Sequence, residues 1–234
     1  MNAARDIIEG LRGRIREIEG RRPTREAFVA SGWVEVDRLL PGGGFPRGAV
    51  SELIGTHASG KTAIALSTVA SATRDRGVAA FVDGRHELYP PAAAALGVDL
   101  DRLLVVRPDR TSPAEATRVG LWTAEALLAS GAFEAVAIDV PIEGTPASAM
   151  APASLDLMLR RVRAAAERGG TAALWLAEPG GVRCASAVRL ECSRAPGGWL
   201  VRRTHARGLE ERAGDRDAAN GGVAEVIAPV HHAA

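Results

Sequence analysis

Residues 55–62 read Gly-Thr-His-Ala-Ser-Gly-Lys-Thr, the G-x-x-x-x-G-K-[S/T] pattern of a phosphate-binding loop. Its two glycines permit backbone angles that a side chain would forbid, so successive N–H groups can turn inward and hold phosphate oxygens at the start of a helix. The Lys61 ammonium reaches the β- and γ-phosphates, and the Thr62 hydroxyl is a ligand for Mg²⁺. The pattern therefore predicts Mg²⁺ at Thr62 and ATP binding at Gly55, Thr56, His57, Ala58, Ser59, Gly60, Lys61 and Thr62.

Lys61 is the only lysine among the 29 lysine and arginine residues of the chain. A planar guanidinium is a poor substitute for a compact ammonium that must pass between backbone amides to reach phosphate oxygens. The one position that departs from the arginine usage of this chain is therefore best explained as a nucleotide ligand. A chance match is the alternative in a chain with 26 glycines, but a strand pattern over 49–54 and a helix pattern over 62–74 flank the loop as its mechanism requires.

Composition limits the classes of function that remain. The chain has 234 residues, 47% of them hydrophobic, which suits one core with a small appendage. A net charge of +1 gives no global attraction to nucleic acid or anionic lipid. No apolar run approaches the roughly 18 to 20 residues of a membrane span, and the first residues lack a signal-peptide core, so we expect a cytoplasmic protein.

Cysteines and histidines give no sign of a metal centre. Cys184 and Cys192 suit small buried residues better than a disulfide in a reducing compartment. The five histidines show no metal-ligand spacing with cysteines or acids, so we expect no structural metal.

Strand and helix patterns alternate along most of the chain. Strands are predicted over 49–54, 78–83, 103–106, 135–139, 171–177, 187–192 and 199–204. Helices are predicted over 62–74, 90–96, 113–130 and 155–168. The last two strands have the short connection of a hairpin. This order predicts an α/β fold with a mostly parallel sheet, flanking helices and an antiparallel edge.

The two ends of the chain have patterns of their own. Residues 3–19 have the apolar spacing of an amphipathic helix, which either stands off the core as an arm or packs on its own domain. Residues 208–222 indicate a flexible link. The apolar stretch 223–230 is either an edge strand or a docking peptide, and the sequence does not distinguish them.

Over about residues 30–207 the chain resembles the RecA recombinase core. The carriers are Ser31-Gly32, Val36-Asp37, residues 44–53, the phosphate loop, Phe81-Val82-Asp83, residues 96–104, residues 136–139 and residues 187–191. The resemblance implies a RecA-like ATP-binding core over 29–207, preceded by a helix and connector over 1–28 and followed by a link and apolar tail over 208–234. Asp139 ends an apolar strand that we expect beside the phosphate-loop strand, and it resembles the Walker B acid that orders Mg²⁺. Capping of the next turn is the alternative role for this aspartate.

One departure from the family pattern concerns hydrolysis. In RecA-type ATPases a glutamate two residues after the aspartate of the second core strand polarises the attacking water, and here that position is Arg85. A guanidinium cannot be deprotonated and cannot act as general base. We therefore expect nucleotide binding with weak or no ATP hydrolysis. Glu87, shifted by two residues, is a weak candidate for the missing carboxylate.

A second departure concerns DNA. The loop that would grip single strands, 141–154, contains no basic residue, and the next such loop shrinks to about 178–181. The electrostatic attraction that dominates nucleic-acid affinity is then missing, which predicts weak or no direct binding of single-stranded DNA. The sensor glutamine of the family is replaced by Glu178, an anion close to the expected γ-phosphate.

These departures and the run Pro-Gly-Gly-Gly-Phe-Pro-Arg-Gly-Ala at 41–49 resemble the ImuA family. The resemblance implies an accessory role in error-prone translesion DNA synthesis during the SOS response to DNA damage. It also implies contacts with RecA and with a Y-family polymerase homologue of the ImuB type, and no membrane partner.

The alternative function is a DNA-stimulated ATPase or minimal recombinase, which would need another DNA surface. The candidate cations are Arg183, Arg189, Arg194, Arg202, Arg203 and Arg207, for which a solvated face is the simpler explanation. Arg203 and His205 are candidates to reach the nucleotide of a neighbouring subunit. The four tryptophans, at 33, 122, 175 and 199, are expected to pack in the core or at its edge.

Overall fold

The computed structural model describes residues 27–74, 76–109, 112–142, 152–206 and 222–227. The helix expected over 3–19 lies outside the described residues, as does all but the last residue of the link expected over 208–222. The proposed division into arm, core and tail therefore stays a prediction.

The described elements alternate between strands and helices. The strands are β1 (Phe28–Val29), β2 (Phe45–Pro46), β3 (Ala49–Ile54), β4 (Ala79–Asp83), β5 (Leu103–Val106), β6 (Ala135–Asp139), β7 (Ala172–Ala177), β8 (Val188–Ala195), β9 (Gly198–Ala206) and β10 (Val223–Ile227). The helices are α1 (Val34–Leu39), α2 (Lys61–Arg74), α3 (Pro90–Ala95), α4 (Pro113–Ala129) and α5 (Pro152–Gly169), with short 3₁₀ turns at Pro41–Gly43 and Leu100–Arg102.

In the described part of the chain, one eight-stranded sheet has the order β10-β9-β8-β3-β7-β6-β4-β5. The strands from β8 to β5 in this order run parallel, while β9 and β10 are antiparallel to their neighbours. The predicted α/β class is therefore confirmed, including the antiparallel edge. Of the two alternatives for the apolar stretch 223–230, the edge strand is observed over Val223–Ile227, and residues 228–230 lie outside the described residues.

Helices cover both faces of the parallel strands. β4, β6 and β7 are buried along their whole length, because a parallel strand in the middle of a doubly covered sheet has no solvent face. Successive side chains of a strand point to opposite faces. Leu53 accordingly packs in the cluster that contains Ile64 of α2, while Val50 packs in the cluster that contains Leu121 of α4 and Val162 of α5.

One expectation about strand order is wrong. Asp139 ends β6, and β6 does not lie beside the phosphate-loop strand β3, because β7 separates them. Ala172 of β7 is paired with Ala49 on one side and with Ala135 on the other. The crossover through α2 carries the chain from β3 past two strand positions to β4, because a helical crossover is long enough that strands consecutive in sequence need not be adjacent in the sheet.

A buried carboxylate ties the connection between β7 and β8 to the centre of the sheet. Glu52 of β3 is 1% exposed. Its Oε1 accepts a hydrogen bond from the Cys184 backbone N–H at 2.6 Å, and its Oε2 accepts from Ser186 Oγ and Arg189 Nε. A buried charge is tolerated when it is paired and hydrogen-bonded in this way. These bonds hold the second half of the connection that begins at Glu178.

Across the residues described above, no helix combines the length and the apolar character that crossing a membrane requires.

Candidate nucleotide-binding site

The phosphate loop runs directly from β3 into α2. The helix opens with a bond from the Ile64 N–H to the Gly60 carbonyl at 3.0 Å. Gly60 has φ +91°, a backbone conformation that favours glycine. A Cβ there would also lie 2.4 Å from the Trp199 ring, so both the backbone and the available space require glycine.

A cavity of about 530 Å³ lies over the loop. Residues 56–62 line it, while Gly55, at the end of β3, lines an adjacent cavity of about 340 Å³. The carboxyl ends of parallel strands meet at one edge of a sheet, where ligands of α/β proteins bind. The other charged or aromatic lining residues come from three strand ends and one hairpin: Arg85, Glu87, Asp139, Glu178, Arg194 and Trp199.

Lys61 is held by two oxygens inside this cavity. Its Nζ donates to the Gly55 carbonyl at 2.6 Å and to Glu178 Oε1 at 2.8 Å. Burial raises the pKa of Glu178, but the hydrogen bond and the charge of Lys61 outweigh burial and leave that pKa below its ordinary value. Glu178 is therefore an anion at neutral pH. It is hydrogen-bonded to the ammonium group that a nucleotide phosphate would also contact.

Arg85 and Asp139 form a second internal pair. Arg85 Nε donates to Asp139 Oδ1 at 2.9 Å. The two side chains are 16% and 8% exposed, so water screens the pair only in part. Burial raises the pKa of Asp139 to about 6, although the Arg85 guanidinium acts in the opposite direction.

The segment after β4 has its shape set by Asp83. This carboxylate is fully buried and accepts hydrogen bonds from the backbone N–H groups of Glu87 and Leu88, and from Arg107 Nε. Asp83 therefore organises the turn that carries Arg85. The Glu87 side chain is exposed and borders the cavity, so its role as a substitute carboxylate stays a prediction.

The arrangement suits a nucleotide phosphate better than a metal ion. The loop supplies backbone N–H groups and Lys61, whereas the one strand-end carboxylate expected to hold Mg²⁺ already accepts from a guanidinium. Within the described ranges, no group of three or more histidine, cysteine, aspartate or glutamate residues could hold a metal. Binding of Mg²⁺ by Thr62 and Asp139 stays a prediction, and the Arg85 contact opposes it.

The arginines near the antiparallel edge do not form one solvated face. Arg189 pairs with buried Glu52, and Arg203, 7% exposed, donates to the Leu39 carbonyl at 3.0 Å. The expectation of a solvated face is wrong for these two, and the burial of Arg203 within its own chain contradicts the idea that it reaches a neighbour. Arg183 and Arg202 line the 340 Å³ cavity, and Arg207 lies outside the described residues.

Trp199 and Arg194 belong to the site, although their sequence context gave no signal for it. They lie in the β8–β9 hairpin, which the fold brings against the phosphate loop. Trp199 also packs edge to face on Trp33, with ring centroids 5.8 Å apart.

Trp175 is buried as expected, whereas Trp122 is 60% exposed, so the core or edge assignment is wrong for Trp122.

Comparison with known proteins agrees with this architecture. The family model "RecA N-terminal domain" matches residues 9–164. Protein RecA of Staphylococcus epidermidis is 33% identical over 212 residues, which cover 79% of this chain and 59% of the relative. Protein RecA of Clostridioides difficile is 45% identical over 111 residues (47% and 30%), and that of Salinispora tropica is 47% identical over 121 residues (51% and 33%).

The fold and the phosphate loop define an α/β core of the RecA-like class. The match to the RecA N-terminal domain extends over more than half of the chain, so the chain belongs to the RecA family. It spans between 30% and 59% of the length of these three relatives.

Proposed function

We propose that this chain is a RecA paralogue that binds ATP or ADP, hydrolyses ATP weakly or not at all, and acts as an accessory protein of error-prone translesion DNA synthesis in the SOS response, as in the ImuA family. The single observation that carries the proposal is the pair between Arg85 and Asp139. In this pair a guanidinium takes the position where the family pattern has a water-polarising carboxylate.

Arg85 favours a site that binds nucleotide without hydrolysing it. A general base must accept a proton from the attacking water, and a guanidinium cannot do so at any physiological pH. Without that base, positioning and charge stabilisation remain, and these support binding of the phosphates. Nucleotide then acts as a switch or a scaffold instead of a fuel.

Glu178 supports the same interpretation. Its carboxylate lies 2.8 Å from Lys61 Nζ, so an incoming phosphate must displace it from the ammonium. Glu178 begins the connection between β7 and β8. The other end of this connection is hydrogen-bonded to Glu52 through the Cys184 N–H. Nucleotide binding therefore has a local means of altering the surface of that connection.

Direct DNA binding is weak in this proposal. Residues 141–154, which follow the Asp139 strand, contain no lysine or arginine. Cationic side chains supply most of the sequence-independent affinity for nucleic acid, so a loop without them contributes little. The proposed partners are proteins: RecA itself and a Y-family polymerase homologue of the ImuB type.

The decisive experiment measures ATP turnover by the full chain with Mg²⁺, with and without single-stranded DNA, at nucleotide concentrations shown independently to saturate binding. The proposal expects saturated binding with negligible turnover in both conditions. DNA-stimulated turnover close to that of a RecA recombinase, measured in parallel, would contradict it.

Partner binding has its own test. Deletion of residues 1–22 should weaken binding to RecA or to the polymerase homologue while the thermal unfolding midpoint of the core stays the same. Unchanged binding would remove the N-terminal segment from the proposal but leave the nucleotide site as it is.

The alternative function, a DNA-stimulated ATPase or minimal recombinase, has one observation in its favour. Arg183 and Arg202 line the cavity that Glu178 also lines. DNA bound there would alter the position of Glu178 and so affect the nucleotide site. The same turnover assay decides between the two functions, and replacing both arginines with glutamine should then abolish any stimulation.

A further inference from the structure

The contact between Arg85 and Asp139 follows from the backbone around it. β4 and β6 are parallel neighbours in register, with Asp83 opposite Asp139. The Gly84 N–H donates to the Asp139 carbonyl at 2.8 Å, and a Cβ at position 84 would lie 3.0 Å from that same oxygen. This close approach fixes residue 85 immediately beyond the strand end, within reach of the Asp139 carboxylate.

The pair also lies at the cavity over the phosphate loop. Arg85 and Asp139 line the same cavity as Lys61 and the phosphate loop. In other phosphate-loop proteins Mg²⁺ neutralises the charge that builds up on the phosphates. A guanidinium with five N–H donors in a rigid fork carries positive charge and also suits phosphate oxygens geometrically.

The charges that line the cavity are balanced before any ion binds. The lysine and arginine residues are Lys61, Arg85 and Arg194, and the carboxylates are Glu87, Asp139 and Glu178. Hard cations such as Mg²⁺ are recruited by oxygen ligands that need their charge. Here the buried carboxylate of Asp139 already has a cation of its own in Arg85, which removes the main electrostatic reason to recruit a metal.

We propose that this site binds adenine nucleotide without a divalent cation, and that Arg85, positioned by Asp139, supplies the positive charge that Mg²⁺ supplies elsewhere. The inference rests on the proposed nucleotide binding and specifies its ion requirement. Arg85 is in this role a binding residue, and Asp139 is its positioning residue.

The test compares the dissociation constant of a fluorescent ADP analogue for the full chain in excess MgCl₂ and in EDTA. The two constants should agree within about threefold. A loss of about tenfold or more in EDTA would overturn the inference and leave nucleotide binding intact. Absence of binding in both buffers would overturn the proposed nucleotide binding and this inference together.

Two variants assign the effect to Arg85. Arg85→Gln should weaken binding in EDTA by about tenfold or more, and Arg85→Lys should recover part of that loss because it keeps the charge. Arg118→Gln is the matched control, because Arg118 pairs with Glu115 at the exposed surface of α4. Equal affinities in EDTA for the natural chain and Arg85→Gln would overturn the assignment.

A spectroscopic measurement covers the case in which Arg85→Gln folds poorly. Mn²⁺ added to the natural chain in excess ADP should give the same electron paramagnetic resonance spectrum as Mn²⁺ in protein-free buffer at the same concentration of free ADP. A distinct signal from protein-bound Mn²⁺ would show a metal site in the complex and would overturn the inference. This test needs no variant.

Discussion

Lys61 Nζ lies 2.8 Å from Glu178 Oε1, so the ammonium at the centre of the phosphate loop is paired with a carboxylate from the end of β7. The two residues are far apart in sequence, and the parallel pairing of β3 with β7 brings their strand ends together. Any phosphate that reaches Lys61 competes with this anion. If the site binds nucleotide as proposed, its affinity should therefore depend on Glu178 as well as on the loop.

Glu178→Gln should tighten nucleotide binding. The amide keeps the shape of the side chain but removes a charge that both holds Lys61 and repels phosphate, and we expect about a three- to tenfold gain in affinity. Isothermal titration with ADP measures it. Glu191→Gln, an exposed carboxylate on β8, is the matched control and should change little. Equal effects of the two changes would contradict a specific role for the Lys61 contact.

Arg85→Glu should raise ATP turnover in Mg²⁺ by about tenfold or more, because it replaces a group that cannot accept a proton with a carboxylate that can. Phosphate release under saturating ATP measures the rate. Arg85→Gln separates the two effects of the change, since it removes the guanidinium without adding a base. If both variants have the same turnover, the missing carboxylate is not what limits hydrolysis.

Asp139 should make the free energy of unfolding depend on pH. Its folded-state pKa is raised from 3.8 to about 6, so between these values the folded state binds a proton that the unfolded state does not. Stability should therefore rise as pH falls through this window and be lost as pH rises through about 6. The effect should be on the order of 1 to 3 kcal/mol.

Urea denaturation of the natural chain and of Asp139→Asn, over a pH series, isolates that contribution because asparagine does not titrate. The difference in unfolding free energy between the two proteins should shift in favour of the natural chain as pH falls. A difference that stays constant with pH would mean that the Asp139 pKa is close to its ordinary value.

Gly60→Ala should destabilise the chain and abolish nucleotide binding. The new Cβ would meet the Trp199 ring at 2.4 Å, and the backbone there has φ +91°. Gly197→Ala is a matched control, since Gly197 has φ +81° but a Cβ there would meet nothing within 4 Å. We expect Gly60→Ala to cost about 1 to 3 kcal/mol more than Gly197→Ala by urea denaturation. Equal costs would mean that backbone strain, and not the Trp199 contact, makes glycine necessary.

Local patterns were enough to locate most elements of the core. The predicted strands at Ala49–Ile54, Leu103–Val106 and Ala135–Asp139 coincide with the observed ones, because short apolar runs between turn residues have few other stable arrangements. The phosphate loop could also be predicted from the sequence, since its chemistry depends on the spacing of residues along the chain. The position of β7 between β3 and β6 could not be predicted, because helical crossovers do not determine the order of the strands in the sheet.

The pairing of charges was the least predictable part of the candidate site. Arg189 and Arg203 have the same sequence signature as surface arginines, but β8 and β9 bring them to buried partners, Glu52 and the Leu39 carbonyl. Trp122 shows the opposite error, since a helix position that suits the core lies at the surface. Burial depends on what packs against a residue, and that information is spread over the whole fold.

The sequence by itself determined that this protein has a phosphate loop with a single lysine, an alternating α/β core, and an arginine at the position where the resemblance to RecA-type ATPases implies a water-polarising glutamate. Those features depend on residue type and on spacing within a few positions, which the chain carries directly. Only the tertiary structure decided that Arg85 is held on Asp139, that Glu178 is held on Lys61, and that the β8–β9 hairpin closes one side of the site. Each of these contacts joins strand ends that are distant in sequence, and the order of strands in the sheet is what makes them neighbours.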